Sequence, residues 1–129
     1  MRRLPIILAA LVAIALNIGA ARATEAVFDQ KAFAAAQQSG APILVYVSAT
    51  WCPTCAKQRP ILDKLEADPA FHNLTVFKVD FDSQKDVVHA FGVRMQSTLI
   101  AFHGATEEAR STGDTNADSI RKLLAATEH

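Results

Sequence analysis

Cys52 and Cys55 are the only thiols in the chain, and they stand three residues apart in the run Trp51-Cys52-Pro53-Thr54-Cys55. On a helix that spacing is close to one turn, so both sulfurs can share one end of the same element. A helix N-terminus presents unpaired backbone N–H groups and the positive end of the dipole, and both favour a thiolate. Cys52 would stand at that end as the nucleophile. Cys55, one turn further in, would attack a mixed disulfide formed on Cys52 and release the product. The pair is then a reversible two-electron couple, and no cofactor is expected. A C-x-x-C pair is also half of a zinc site, but a closed structural site takes four ligands. The sequence has no second C-x-x-C and no H-x-x-x-H, while His72, His89, His103 and His129 are scattered and read as surface histidines, so no metal ligand is assigned.

To hold the pair, the chain needs a strand that ends just before it and a helix that starts with it. Ile43 to Val47 is a continuous apolar run rich in β-branched residues, bounded by Pro42 and the polar Ser48 to Thr50. It suits a central strand buried on both faces. From Pro53 to about Ala67 the pattern is helical, with Ile61, Leu62 and Leu65 at core spacing and Asp68-Pro69 as its end. Pro53 suits the first turn, where its missing N–H would be unpaired anyway. Pro60 removes a bond inside the helix, which predicts a kink between Ala56 and Pro60 that splits it into an active-site half and a packing half.

The remaining elements surround this unit. Asp29 can cap a helix from about Gln30 to Gln38, closed by Gly40, with a short strand at Ala26 to Phe28 before it. Leu74 to Asp80 reads as a strand, and Asp82-Ser83 opens a short helix in which Ser83 and Asp86 have capping-box spacing. Val87, Val88 and Phe91 form that helix's apolar face, and Gly92 stops it. Thr98 to Phe102 is a further strand, followed by a turn at His103-Gly104-Ala105 and a polar edge strand near Glu108 to Ser111. Gly113 and Asp114 lead into a terminal helix carrying Ile120, Leu123 and Leu124. Strands alternating with helices imply right-handed parallel crossovers, and the closing hairpin adds an antiparallel part to the same sheet.

The first 23 residues differ in composition from the rest: Arg2 and Arg3, an apolar run from Ile6 to Leu16, then small residues ending in Ala21-Arg22-Ala23. This reads as a cleavable secretory signal over 1–23, because the apolar run falls short of the ~20 residues a membrane span needs. An uncleaved anchor is the alternative. Cleavage after Ala23 leaves 106 of the 129 residues as one domain, 24–129, with ten basic and thirteen acidic residues and a formal charge of −3. No basic face suggests nucleic acid or anionic lipid as a partner. An exported chain with no spare cysteines must derive its stability from packing, which leaves the one pair free to cycle.

Several separated signals then agree. The strand Ile43-Leu44-Val45 leads into Ala49-Thr50-Trp51-Cys52, Pro60 follows Cys55 by five residues, and Phe91-Gly92-Val93-Arg94 precedes Thr98-Leu99 and Phe102. In this the chain resembles the thioredoxin family over most of residues 24–129. The resemblance implies an α/β thioredoxin fold, a central mixed sheet of four to five strands flanked by helices, with thiol–disulfide exchange as the activity. It implies that Trp51 packs beside the pair, and that the loop of Met95, Gln96, Ser97 and Thr98 helps receive substrate. Lys78 matches a lysine that neighbours the site in the family, and a cation there would favour thiolate.

Three residues depart from the family pattern. Tyr46 stands where the family has a buried aspartate, regarded as the proton acceptor for the second cysteine. Pro53-Thr54 replaces the usual Gly-Pro and would make the pair less reducing than ordinary thioredoxin. Ser97 stands where the family has a cis-proline. A cis bond before a non-proline residue costs about 2.5–4 kcal/mol, so the Gln96–Ser97 bond is expected to be trans.

The function expected is that of an exported, periplasmic thiol–disulfide oxidoreductase, acting as a monomer to reduce protein disulfides such as scrambled ones or those of apocytochrome c. Reduction in an oxidising compartment implies a membrane electron donor. The alternatives are a disulfide-forming oxidase, a soft-metal module using both thiolates with help from His89 or His103, and a binding domain whose pair is rarely cycled.

Overall fold

Alternation of apolar strands with amphipathic helices produces one sheet with helices on both faces. In the computed structural model, which describes residue 19 and residues 21–129, the chain runs β1 (Thr24–Val27), α1 (Gln30–Gln38), β2 (Pro42–Ser48), α2 (Pro53–Glu66), a 3₁₀ turn (Pro69–Phe71), β3 (Thr75–Asp80), α3 (Lys85–Ala90), β4 (Thr98–His103), β5 (Thr106–Thr112) and α4 (Ala117–Ala125). Apart from Gly19 and residues 21–23, the expected leader lies outside the described residues. The strand order is β1-β3-β2-β4-β5. The strands β1 and β2 pair with β3 in parallel, while β4 is antiparallel to β2 and to β5. The expected parallel crossovers and closing hairpin are both present.

The central strand is β2, and its alternation divides the core in two. Ile43, Val45 and Val47 face α1 and α3 in a cluster with Phe28, Phe33, Phe77 and Phe102. Leu44 and Tyr46 face α2 and α4, packing with Leu62, Leu65, Leu74, Ile120 and Leu124. The edge strand β5 is mostly exposed, in line with its polar sequence.

Local chemistry sets the ends of the elements. Asp29 accepts from the Ala32 N–H at 2.9 Å and caps α1, and Asn116 accepts from Ser119 N–H at 3.0 Å and caps α4. One sequence expectation changes. The α3 helix starts one residue later than a Ser83 cap would give, and Ser83 does not cap it: Asp80 Oδ1 accepts from the N–H groups of Asp82 and Ser83 and from the Ser83 hydroxyl, closing a turn that uses up the capping group. The helix α2 runs as one element from Pro53 to Glu66 with Pro60 inside it; losing a single backbone bond is tolerated where the flanking turns are packed. Asp68-Pro69 ends α2 as expected and also opens the unforeseen 3₁₀ turn, with Asp68 accepting from the Ala70 N–H.

Candidate active site

The strand β2 delivers the chain to the C-terminal edge of the sheet, and residues 49–52 turn it into α2. Cys52 is the N-cap of that helix, with extended backbone, and Pro53 occupies the first helical position. The Cys52 sulfur accepts the Cys55 backbone N–H at 3.1 Å, so it takes the place that a serine or aspartate oxygen holds in an ordinary cap. An N–H directed at the sulfur and the helix dipole behind it both stabilise negative charge on Cys52. Cys52 and Cys55 are joined by a disulfide, with Cα atoms 5.2 Å apart. Both are nearly buried, 3% and 5% exposed, against Ala49 and Phe81.

Trp51, next to Cys52 in the chain, is 57% exposed, and Met95 is 56% exposed. The Trp51 indole N–H donates to Asp82 Oδ2 at 2.7 Å, which fixes the ring's orientation from the β3–α3 turn. Met95 belongs to the loop before β4; antiparallel pairing of Val47 with Thr98 brings that loop to the same edge of the sheet as the cysteines. Thr98 donates its hydroxyl to Met95 O at 2.8 Å. Ser97 is buried, has φ of +61°, and its preceding peptide bond is trans. Gln96 lies between them on the part-buried course of the loop, and Thr54 is part-buried in the first turn of α2.

Beneath the pair, Tyr46 is buried and donates its hydroxyl to Cys55 O at 3.3 Å. Burial pushes this phenol up, against the opposing charge of Arg59, which keeps it a donor. The Arg59 guanidinium lies 5.6 Å from the Tyr46 ring centroid and bridges Glu25, Asp63 and Glu66 at 3.0, 2.9 and 2.8 Å. Those three carboxylates each bring an oxygen within 4.8 Å of one another, and the guanidinium serves as their shared cation. Lys78, beside Tyr46 across β2 and β3, is directed to Glu25 at 2.8 Å. Its charge is thus matched by Glu25 rather than left to the sulfurs. Neither histidine named for a metal site joins the cysteines: His89 sits in the last turn of α3, and His103 binds Thr127 O at 2.8 Å and stacks on His129.

Residues 23–126 match the thioredoxin family model. The chain belongs to the thioredoxin family. It is 35% identical over 98 residues to a thioredoxin of Chlamydia trachomatis, covering 76% of this chain and 93% of that one. To a thioredoxin of Pseudomonas aeruginosa it is 31% identical over 103 residues, with 80% and 91% covered. The crystal structure of Trxlp from Edwardsiella tarda superposes with a TM-score of 0.75 at 44% identity, covering 78% of this chain and 97% of that chain. The thioredoxin fold is thereby established, with five strands where four to five were expected. The chain is a thioredoxin-type thiol–disulfide oxidoreductase whose redox pair is Cys52 and Cys55.

The sequence reading missed two buried polar residues of α2, Gln58 and Glu66. A signal for both was present. Cys55, Gln58, Leu62, Leu65 and Glu66 recur at helical spacing and form one inward stripe, so a polar residue on it must be buried with partners.

Proposed function

We propose that this thioredoxin-type protein is exported, works as a monomer, and reduces disulfides of protein substrates with electrons received from a membrane donor. The observation that carries the reading is the capped Cys52 sulfur, with the exposed Trp51 next to it in the chain and the exposed Met95 in a loop at the same edge of the sheet. Exposed apolar side chains at the sheet edge that holds a nearly buried sulfur suit a polypeptide that covers the site and excludes water while exchange proceeds.

The Cys52 thiolate attacks one sulfur of the substrate disulfide, forming a mixed disulfide and releasing the other substrate sulfur as thiolate. Cys55 loses its proton to water or to the departing thiolate, since Tyr46 stays protonated and offers no base. The Cys55 thiolate attacks Cys52 Sγ, releasing the second substrate thiol and leaving the Cys52–Cys55 disulfide. Two electrons pass to the substrate, and the membrane donor must return two to the pair. Export is supported by the Arg2-Arg3 start, the apolar run and the small residues before Ala23. N-terminal sequencing of the protein from an exported fraction is expected to give Thr24 first.

The deciding measurement is the equilibrium reduction potential of the Cys52–Cys55 pair against glutathione and dithiothreitol. A potential near that of thioredoxin, about −270 mV, supports net reduction; one near about −120 mV would make the protein a disulfide donor. Alongside it, Cys55→Ser is expected to trap mixed disulfides through Cys52, and Cys52→Ser to lower reduction of insulin by at least about 10³-fold.

A further inference from the structure

Gln58 stands one turn after Cys55 on the inward face of α2 and is fully buried. Its side-chain amide crosses between distant parts of the chain. The Nε2 group donates to Ser97 O at 3.2 Å and to Asp114 O at 2.9 Å. The Oε1 atom is buried without a hydrogen-bond partner among the described residues. A leucine would fill this stripe as Leu62 and Leu65 do, with no polar group to desolvate. An amide with one orphaned oxygen is the costlier choice for packing alone, so its value lies in what its donors hold.

What they hold is a backbone that would not keep its conformation unaided. Ser97 is the one non-glycine residue with positive φ among the described residues, at +61°. A residue with a Cβ is disfavoured there by about 1–2 kcal/mol. Two donors converge on its carbonyl: Gln58 Nε2, and the Gly113 N–H at 3.0 Å. The same loop carries the exposed Met95 at the edge of the sheet where β2 leads to the cysteines.

We propose that Gln58 is a positioning residue: its amide holds Ser97 in the left-handed conformation and so sets the pose of the Met95-Gln96-Ser97 loop on which a protein disulfide docks. This rests on the reading that protein disulfides are the substrates. In the resembling family a proline ring stiffens this position, whereas here the Gln58 amide from the redox helix and the Gly113 N–H do the holding. The recognition loop and the resolving cysteine are thereby fixed to the same turn of α2.

The test compares Gln58→Leu with wild type in insulin reduction, separating KM from kcat, with the sign of φ at Ser97 read by NMR couplings in both. In Gln58→Leu, Ser97 is expected to leave the positive-φ region and KM for insulin to rise roughly tenfold, with kcat moving less than about twofold. Adding Ser97→Gly is expected to recover most of the KM, because glycine populates positive φ without penalty. Mere loss of packing would not be rescued in this way. If Gln58→Leu melts below the assay temperature, Gln58→Met, which keeps the unbranched stem, takes its place. Unchanged φ and KM, or a KM that glycine at 97 does not recover, would overturn the proposal. Should wild type itself fail to reduce insulin, the substrate reading falls, and the NMR comparison alone decides whether Gln58 holds Ser97.

Discussion

The two faces of the sheet share β2 and yet are built in opposite ways. Under α1 and α3 the core is aromatic: Phe28, Phe33, Phe77, Phe91 and Phe102 meet at ring-centroid distances of 5.2 to 6.1 Å, mostly edge to face. The buried polar residue on that face is Thr98, at its edge, in alternation on β4 with Ile100 and Phe102. Under α2, the helix that carries both cysteines, Tyr46, Gln58 and Glu66 are buried as well: Tyr46 and Gln58 bond to other segments, and Glu66 pairs within α2 with Arg59, which also reaches Glu25 of β1. Apolar packing is non-directional and fills space, whereas a buried hydrogen bond fixes one atom relative to another. The aromatic face supplies stability, and the redox face gives up some apolar burial to place particular backbone groups near Cys55.

That contrast is broken most severely on the aromatic side. Phe33 is buried among four other rings, and Phe33→Ala is expected to cost about 3–5 kcal/mol in denaturant unfolding. The reduction potential of the surviving folded protein should stay where it was. A shift in potential as large as the loss of stability implies would show that the faces are not separable. On the redox side, Ser97→Pro is expected to cost more than about 1 kcal/mol, despite restoring the residue that the family carries. Proline requires φ near −65°, and Ser97 is at +61°, so the loop must leave its bonds to Gln58 and Gly113. Here the penalty should fall on insulin reduction as well as on unfolding, and a variant as stable and active as wild type would refute the account of this loop.

The aromatic face was far more legible in the sequence than the redox face. Val87, Val88 and Phe91 form one apolar face at helical spacing, Ile43 to Val47 is continuous, and burial then follows from the hydrophobic effect alone. Cys52 and Cys55 were legible for another reason, since their spacing has few structural uses besides a shared helix end. By contrast, Gln58 and Glu66 are polar letters whose burial depends on partners 39 or more residues away for Gln58 and on Glu25 and Arg59 for Glu66. Ser83 shows the same limit in reverse. Its capping-box spacing with Asp86 is a local signal, and it is overridden because Asp80, three residues earlier, reaches the Ser83 N–H first. The left-handed Ser97 carries no local signal at all, because serine is a poor marker of positive φ and the bonds that hold it come from α2 and from Gly113.

The smallest effect sharpens the contrast by pH. Burial, then the hydrogen bond and charge of Glu25, raise the Glu66 carboxyl from 4.5 to about 7, with Arg59 opposing. Burial pushes Glu25 upward too, but hydrogen bonds with Glu66 and Lys78 and the charges of Arg59 and Lys78 outweigh it and bring it down to about 2. The pair therefore holds its proton on Glu66 while Glu25 stays ionised. An unfolded chain releases the Glu66 proton near 4.5, so between there and about 7 the folded protein binds more protons, and stability falls as pH rises. The Glu66 contribution is complete below 4.5 and is lost as pH rises through about 7. The Glu25 contribution runs the other way: it is complete above 4.5 and lost only as pH falls toward about 2, so in the window from pH 5 to 7.5 Glu66 is the partner that moves. Glu66→Gln keeps a donor for Glu25 and an acceptor for Arg59 at every pH. Over pH 5 to 7.5 wild type is expected to lose roughly 2–5 °C of Tm relative to this variant, a modest change because Arg59 and partial exposure of Glu25 screen the new charge. Parallel Tm curves for the two proteins would mean that no proton is held between Glu25 and Glu66, and that the polar groups under α2 are set by geometry alone.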